Sequence, residues 1–394
     1  MHTKKILNIK LEFPMTQAFS IPRSIIYGEN ALEHLSTLSG KKAALVTGGS
    51  SMKRFGFLDK AVSELNKAGM ECIIIDNVEP NPSIKTVWRG AKAMQAFEPD
   101  WIVAIGGGSA LDAAKVMWCF YEHPQLKFED ILPVGSMPAL RNKARFVAIP
   151  STSGSASEIT AFSVITDTAN HIKYPIVAAD LVPDIAILDP TIPAKMPPHV
   201  TVHTGMDVLT HAIEAYVSTA ANSFTDPYAV EAIRLVFTYL EIAWRSPDDL
   251  NARMHMHNAS ALAGIAFTNA SLGLVHSMAH KIGGEFGITH GLANAIMLPY
   301  IIQYNAKFTK KYRQLEAALG IKNLIEAINA LNQRLGVPKT LSQCGEVEIN
   351  EITFVNVLDR MSHHAVDDPC TLTNPNYPSV QDVKGLYTKA FYGA

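Results

Sequence analysis

The chain has 394 residues, enough for two or three domains that each bury a sizeable core, which excludes a small disulfide-stapled scaffold. Lys plus Arg number 34 against 36 Asp plus Glu, and 48% of the residues are hydrophobic, so the near-neutral chain is neither a nucleic-acid binder nor disordered. Its four cysteines, Cys72, Cys119, Cys344 and Cys370, form no Cys-x-x-Cys pair and suit a reducing compartment, so a cytoplasmic location is expected.

The first ten residues carry Lys4 and Lys5 but no apolar run of signal-peptide length, which argues against export, and Met15 is a candidate second start. Beyond it, short apolar runs alternate with helical spacing, the pattern of βαβ units around a parallel sheet. Strands are predicted at 43–47, 72–77, 101–105 and 146–149, a strand pair at 162–167 and 172–178, and a last strand at 185–188. Helical spacing covers 56–68 and 83–97, with Ser83 as N-cap of the second and Gly69 just past the end of the first. Pro190, Pro193, Pro197 and Pro198 then punctuate a connection, after which Ala- and Leu-rich amphipathic stretches run to about Gly336. An α/β half therefore gives way to an all-helical half near residues 189–200. Residues 254–280 lack Asp, Glu, Lys and Arg, yet polar residues and glycines interrupt them too often for a bilayer span, and they read as a buried core helix. The tail holds a helix after Glu346, a Pro-rich loop from Asp368 and a last helix from Ser379.

Two loops stand beyond strand ends. Gly106-Gly107-Gly108-Ser109 joins a strand directly to a helical pattern, so backbone N–H groups and the positive end of the helix dipole converge where phosphate would fit. Leu111 stands where the dinucleotide fingerprint needs its third glycine, so the motif by itself is also compatible with an ordinary βα turn. The second loop, Ser151-Thr152-Ser153-Gly154-Ser155-Ala156-Ser157, clusters five hydroxyls. In a parallel sheet both loops lie on the carboxyl edge and can line one crevice.

Asp207 and His211 stand four apart and so share a helix face; His276 and His280 repeat the spacing, and His290 follows. Imidazole and carboxylate donors without thiolate suit Fe2+, Zn2+ or Mn2+, the alternative being hydrogen-bonded core residues. His199 and His203 also stand four apart but follow Pro197-Pro198, where helical geometry is not expected. His255 and His257 point to different faces, as packing or surface residues.

The set Gly106-Gly107-Gly108-Ser109-x-x-Asp112, Asp207-x-x-x-His211-x-x-Glu214 and Gly273-x-x-His276-x-x-x-His280, with His290-Gly291, resembles the iron-containing (group III) alcohol dehydrogenases. That family includes butanol, propanediol and lactaldehyde–propanediol dehydrogenases. The likeness runs from about Ile21 to Asp368-x-Cys370-x-x-x-Asn374-Pro375. It implies a dehydroquinate synthase-like α/β plus all-α fold: an N-terminal parallel-sheet dinucleotide-binding domain, residues 1–190, and a C-terminal helical metal-binding and substrate domain, residues 191–394. The implied metal ligands are Asp207, His211, His276 and His290, for Fe2+ or alternatively Zn2+. His280 is implied as a substrate-side histidine that binds no metal, and Phe267 and Cys370 as pocket residues. Gly107, Gly108, Ser109 and Asp112 match the pyrophosphate loop, and Gly48, Asn81, Thr152, Ser155 and Lys173 match further cofactor positions.

Family members that prefer NAD carry an Asp after the first strand of this unit; here Thr47-Gly48-Gly49-Ser50 stands there, with Lys53 and Arg54 close behind. Losing the acid removes repulsion of a 2′-phosphate, so NADP(H) is expected to be preferred, with NAD(H) as the alternative. The implied activity is hydride transfer between NAD(P)(H) and a small primary alcohol or aldehyde, with His280 relaying the proton. The competing readings are a zinc-dependent, glycerol dehydrogenase-like polyol oxidoreductase and a non-catalytic metal and nucleotide sensor. A dehydroquinate synthase is disfavoured because the helical half has few basic residues near its metal motifs. No nucleic acid or membrane partner is expected, and a homodimer or larger homo-oligomer is implied.

Overall fold

The computed structural model describes residues 18–170 and 172–393; Met15 and the N-terminal lysines lie outside them. The α/β half runs β1 (Ser24–Tyr27), β2 (Lys42–Gly48), α1 (Ser51–Arg54), α2 (Phe57–Lys67), β3 (Glu71–Val78), α3 (Ile84–Phe97), β4 (Trp101–Gly106), α4 (Gly108–Glu122), β5 (Arg145–Pro150), β6 (Phe162–Asp167), β7 (Ile172–Val177) and β8 (Ile185–Leu188). Six strands form a parallel sheet in the order β1-β8-β5-β4-β2-β3, while β6 and β7 pair antiparallel as a separate hairpin.

Helices on both faces explain why the central strands read as unbroken apolar runs. Along β2, Ala44 and Val46 pack with Val87 and Met94 of α3 and Leu111 and Ala114 of α4. Ala43 and Leu45 point the other way, to Leu58, Ala61 and Leu65 of α2. Local signals set the ends: the Ser83 hydroxyl accepts the Thr86 N–H at 3.2 Å, and Gly69 takes φ +79° after α2. Every strand expected from the apolar runs is present. The four-residue β1, which pairs with β8, is additional; Ser-Ile-Ile-Tyr is too short to show a period.

The helical half contains α5 (Pro198–Val217), α6 (Asp226–Arg245), α7 (Leu250–Ala270), α8 (Leu274–Phe286), α9 (His290–Asn305), α10 (Lys311–Leu319), α11 (Leu324–Leu335), α12 (Glu351–Val366) and α13 (Val380–Tyr392). α5 is its axis, buried continuously from Gly205 to Val217. Two expectations are corrected. Residues 254–280 are not one helix: the chain breaks at Ser271, held at φ +62°, and Gly273, so α7 and α8 meet at 106°. No single helix among the described residues is long and apolar enough to cross a membrane. His199 and His203 do lie on a helix, because Pro198 is the first residue of α5, where proline's missing N–H costs nothing.

The chain turns back between β3 and β4, so the sheet's switch point falls between β2 and β4. At the carboxyl ends of these strands, where such a sheet places its crevice, the loop after β5 packs on α5 and α7, Gly154 against Thr204 and Ala156 against Gly264.

Candidate active site

The two loops meet because glycine lets them. A Cβ on Gly108 would lie 2.8 Å from the Ser155 Oγ, and one on Gly107 3.8 Å from the Thr152 methyl, so the first turn of α4 touches the hydroxyl loop. The Ser151 N–H donates to the Gly106 carbonyl at 2.8 Å, tying the ends of β4 and β5 together. Gly107 is the N-cap of α4 and has no side chain to satisfy the orphan N–H groups, which therefore remain available to an anion. Asn81, at φ +56°, donates its N–H to the Ser109 Oγ at 3.3 Å and accepts from the Lys173 ammonium at 2.8 Å. Three cofactor candidates from distant segments thus converge on one side of the crevice. Gly48 closes β2 where a Cβ would meet the Val78 carbonyl at 2.9 Å, and Gly49 turns away at φ +50° toward α1, which carries Lys53 and Arg54.

Asp112 is turned inward: its carboxylate accepts from the Ser157 hydroxyl at 2.6 Å and the Val164 N–H at 3.0 Å. It therefore holds the hydroxyl loop and β6 in place.

Asp207 and His211 project from one face of α5, His276 comes from α8, and His290 is the first residue of α9. Around the Asp207 Oδ1 lie the Nε2 atoms of His290 at 3.5 Å, His276 at 3.6 Å and His211 at 4.0 Å. One atom each from Asp207, His276 and His290 falls within a mutual 4.8 Å, and the His211 ring stacks on His276 with centroids 4.5 Å apart. Burial pushes the His211 imidazolium down to about 3, leaving a neutral nitrogen base at neutral pH. Burial works against the Asp207 carboxylate, but the surrounding histidines outweigh it and hold the group well below the usual range, as an anion. Burial would likewise lower His276, yet hydrogen bonds to Asp207 and Glu214 lift it to about 9, whereas burial pushes His290 down to about 3. One anionic oxygen and three imidazoles, with no thiolate, fit a divalent iron or zinc ion.

Packing produces this convergence. A Cβ on Gly291 would sit 2.0 Å from the His203 carbonyl of α5, so only glycine lets α9 start close enough to bring His290 to Asp207. His203 itself points to Thr289 and Glu346 and stays outside the cluster. Asn294 was not among the sequence candidates. Fully buried, it donates Nδ2 to the Asp207 Oδ1 at 2.7 Å, and that nitrogen lies 3.2 Å from the Nε2 of both His276 and His290. Its place four residues after His290, on the same helix face, is the signal that could have found it.

His280 stands one turn beyond His276, with its side chain 39% exposed and Nδ1 3.1 Å from the Asp368 Oδ2. Lys281 reaches the same oxygen at 2.8 Å, and the Cys370 N–H donates to Oδ1 at 3.0 Å. Burial raises the Cys370 thiol well above its usual value, so it is neutral. Phe267 stacks face-on against His211, with ring centroids 4.4 Å apart, behind the cluster. Outside the site, His255 stacks on Tyr239, and buried His257 meets the Ser153 hydroxyl at 2.9 Å, linking the hydroxyl loop to α7.

A glycine loop at the switch point of a parallel sheet, with an Asp-and-three-His cluster in the helical half, is the equipment of a protein that binds both a nucleotide and a metal ion. Residues 22–190 match the iron-containing alcohol dehydrogenase family and residues 201–391 match its C-terminal region; the chain belongs to the iron-containing alcohol dehydrogenases. Among its relatives, the NADPH-dependent butanol dehydrogenase of Clostridium saccharobutylicum is 49% identical over 385 residues, covering 95% of this chain and 98% of that protein. The aldehyde-alcohol dehydrogenase of Streptococcus pneumoniae is 38% identical over 411 residues, covering 96% of this chain but only 46% of that protein. An iron-containing alcohol dehydrogenase from Thermococcus thioreducens has a solved structure that superposes with a TM-score of 0.89 at 37% identity, covering 96% of this chain and all of that one.

Proposed function

We propose that this chain interconverts a small primary alcohol and its aldehyde with NADP(H), using a divalent ion, Fe2+ or alternatively Zn2+, held by Asp207, His211, His276 and His290. The observation that carries the reading is the convergence of three imidazole nitrogens on one Asp207 oxygen. When bound, the ion supplies Lewis acidity to the substrate oxygen. The α/β half, residues 1–190, holds the cofactor: the first turn of α4 and the Ser155 hydroxyl receive the pyrophosphate, while Asn81, Lys173 and Thr152 line its path. The helical half, residues 191–394, holds the metal and the substrate, with Cys370 and Phe267 shaping the cleft. His280, oriented by Asp368, carries the proton.

The stretch Thr47-Gly48-Gly49-Ser50 presents no carboxylate, and Lys53 and Arg54 follow on α1, which supports a preference for the 2′-phosphorylated cofactor. The NADPH dependence named for the Clostridium saccharobutylicum relative points the same way. Assembly as a homodimer or larger, resting on the sequence resemblance, is part of the same reading.

The test is absorbance at 340 nm with chelator-stripped protein, butanal, and NADPH or NADH, adding back Fe2+ or Zn2+ without oxygen. Metal-dependent oxidation with the higher kcat/KM for NADPH is expected. An equal or higher kcat/KM for NADH would refute the cofactor preference, and silence from metal-loaded protein across short aldehydes would refute the activity.

A further inference from the structure

We propose that Glu214 is a positioning residue of the metal site: its carboxylate fixes the ring of His276 and at the same time starts the helix that carries that ring. The inference rests on the reading of His276 as a ligand. Glu214 lies on α5, three residues after His211, and is 4% exposed. Its Oε2 stands 2.6 Å from the His276 Nδ1 and accepts the N–H groups of Gly273 at 3.1 Å and His276 at 3.4 Å; its Oε1 accepts the Val275 N–H at 2.6 Å. Four donors meet one carboxylate, and among the described residues no lysine or arginine forms an ion pair with it.

The break between α7 and α8 makes this possible. Ser271 and Gly273 turn the chain so that the first N–H groups of α8 face α5. A Cβ on Gly273 would lie 2.8 Å from the Glu214 Oε1, so glycine is what admits the carboxylate. An anion at a helix N-terminus satisfies orphan donors and complements the dipole. The same anion accepts the Nδ1–H of His276, which fixes the ring with Nε2 facing Asp207 and the other imidazoles. Glutamine at 214 would place an NH2 against N–H donors, so it would not reproduce all four bonds.

The test uses the full chain, stripped of metal and titrated with Co2+, with affinity read by chelator competition and site geometry by the visible d–d bands. Glu214→Gln is expected to weaken Co2+ binding about 10- to 100-fold and to alter the bands, as removal of a group behind a ligating histidine does. In a His276→Ala background the same substitution is expected to change affinity less than about twofold, because the ring it acts through is gone. Glu214→Asp keeps the anion at the helix start but withdraws it from Nδ1, and it is expected to fold and bind weakly even if the glutamine variant does not fold. Unchanged affinity in every folded Glu214 variant, or an equal loss in the His276→Ala background, would overturn the proposal and leave Glu214 as a helix cap only. Full affinity in His276→Ala would instead overturn the ligand reading itself, and the proposal with it.

Discussion

On the proposed reading His280 moves the proton and binds no metal. Its ring stacks on His290 at 5.3 Å, close enough to share the cleft, but its Nδ1 is held by Asp368. Asp368 stays ionised to do so: burial opposes the charge, while His280 and Lys281 hold the carboxyl well below the usual range. Replacing His280 by alanine is expected to slow turnover about 10²- to 10⁴-fold, the usual weight of a general acid–base group. Bound metal, counted by elemental analysis, should not change; its loss would refute the assigned role. Sequence spacing found His276 and His280 together but could not say which binds, because both lie on one helix face. A carboxylate stands behind each, Glu214 behind His276 and Asp368 behind His280; what tells them apart is that the His276 Nε2 lies 3.6 Å from the Asp207 Oδ1.

At the scale of elements, the site depends on how closely two helices approach. Glycine within a helix normally costs about 0.5–1 kcal/mol against alanine, so Gly291→Ala on an open helix would stabilise. Here the added methyl would press on the His203 carbonyl of α5, and the opposite sign is expected: a lower melting temperature and weaker metal binding, since His290 is the neighbouring residue. A thermal melt and a Co2+ titration of the variant check both, and a rise in melting temperature with intact binding would refute the argument. The strands and the ends of α2 and α3 were legible because apolar period and capping residues are local. The corner between α7 and α8 was not, since residues 254–280 keep one apolar composition through it and the groups that hold it, Glu214 among them, come from elsewhere in the chain.

Across the whole molecule, the hydroxyl loop joins the halves. Ser153 reaches His257 on α7, a Cβ on Gly154 would press on Thr204 of α5, and one on Gly264 of α7 would lie 2.6 Å from the Ala156 methyl. At the end of this loop Glu158 is 1% exposed, and neither carboxylate oxygen has a hydrogen-bond partner. Burial pushes the Glu158 carboxyl up to about 7 from 4.5, against the pull of Lys115. Below 4.5 the group is protonated in both states; between 4.5 and 7 the unfolded chain has released its proton and the folded chain has not, so stability declines as pH rises. The shift corresponds to about 3 kcal/mol. Urea unfolding across this range is expected to show that decline in the native chain and a flatter profile in Glu158→Gln. Parallel profiles would refute it.

By itself the sequence determined the alternation of strands and helices, the change to an all-helical half after Pro190, the glycine loop and the spacing of the metal donors, because each depends on residues within a turn or a strand of one another. Tertiary structure alone decided that donors from α5, α8 and α9 meet at one oxygen of Asp207, that Asn294 and Glu214 stand behind them, and that Asp112 turns inward. The physical reason is distance along the chain: Glu214 and His276 are 62 residues apart, and nothing local records that glycines at 273 and 291 bring their backbones close enough to touch.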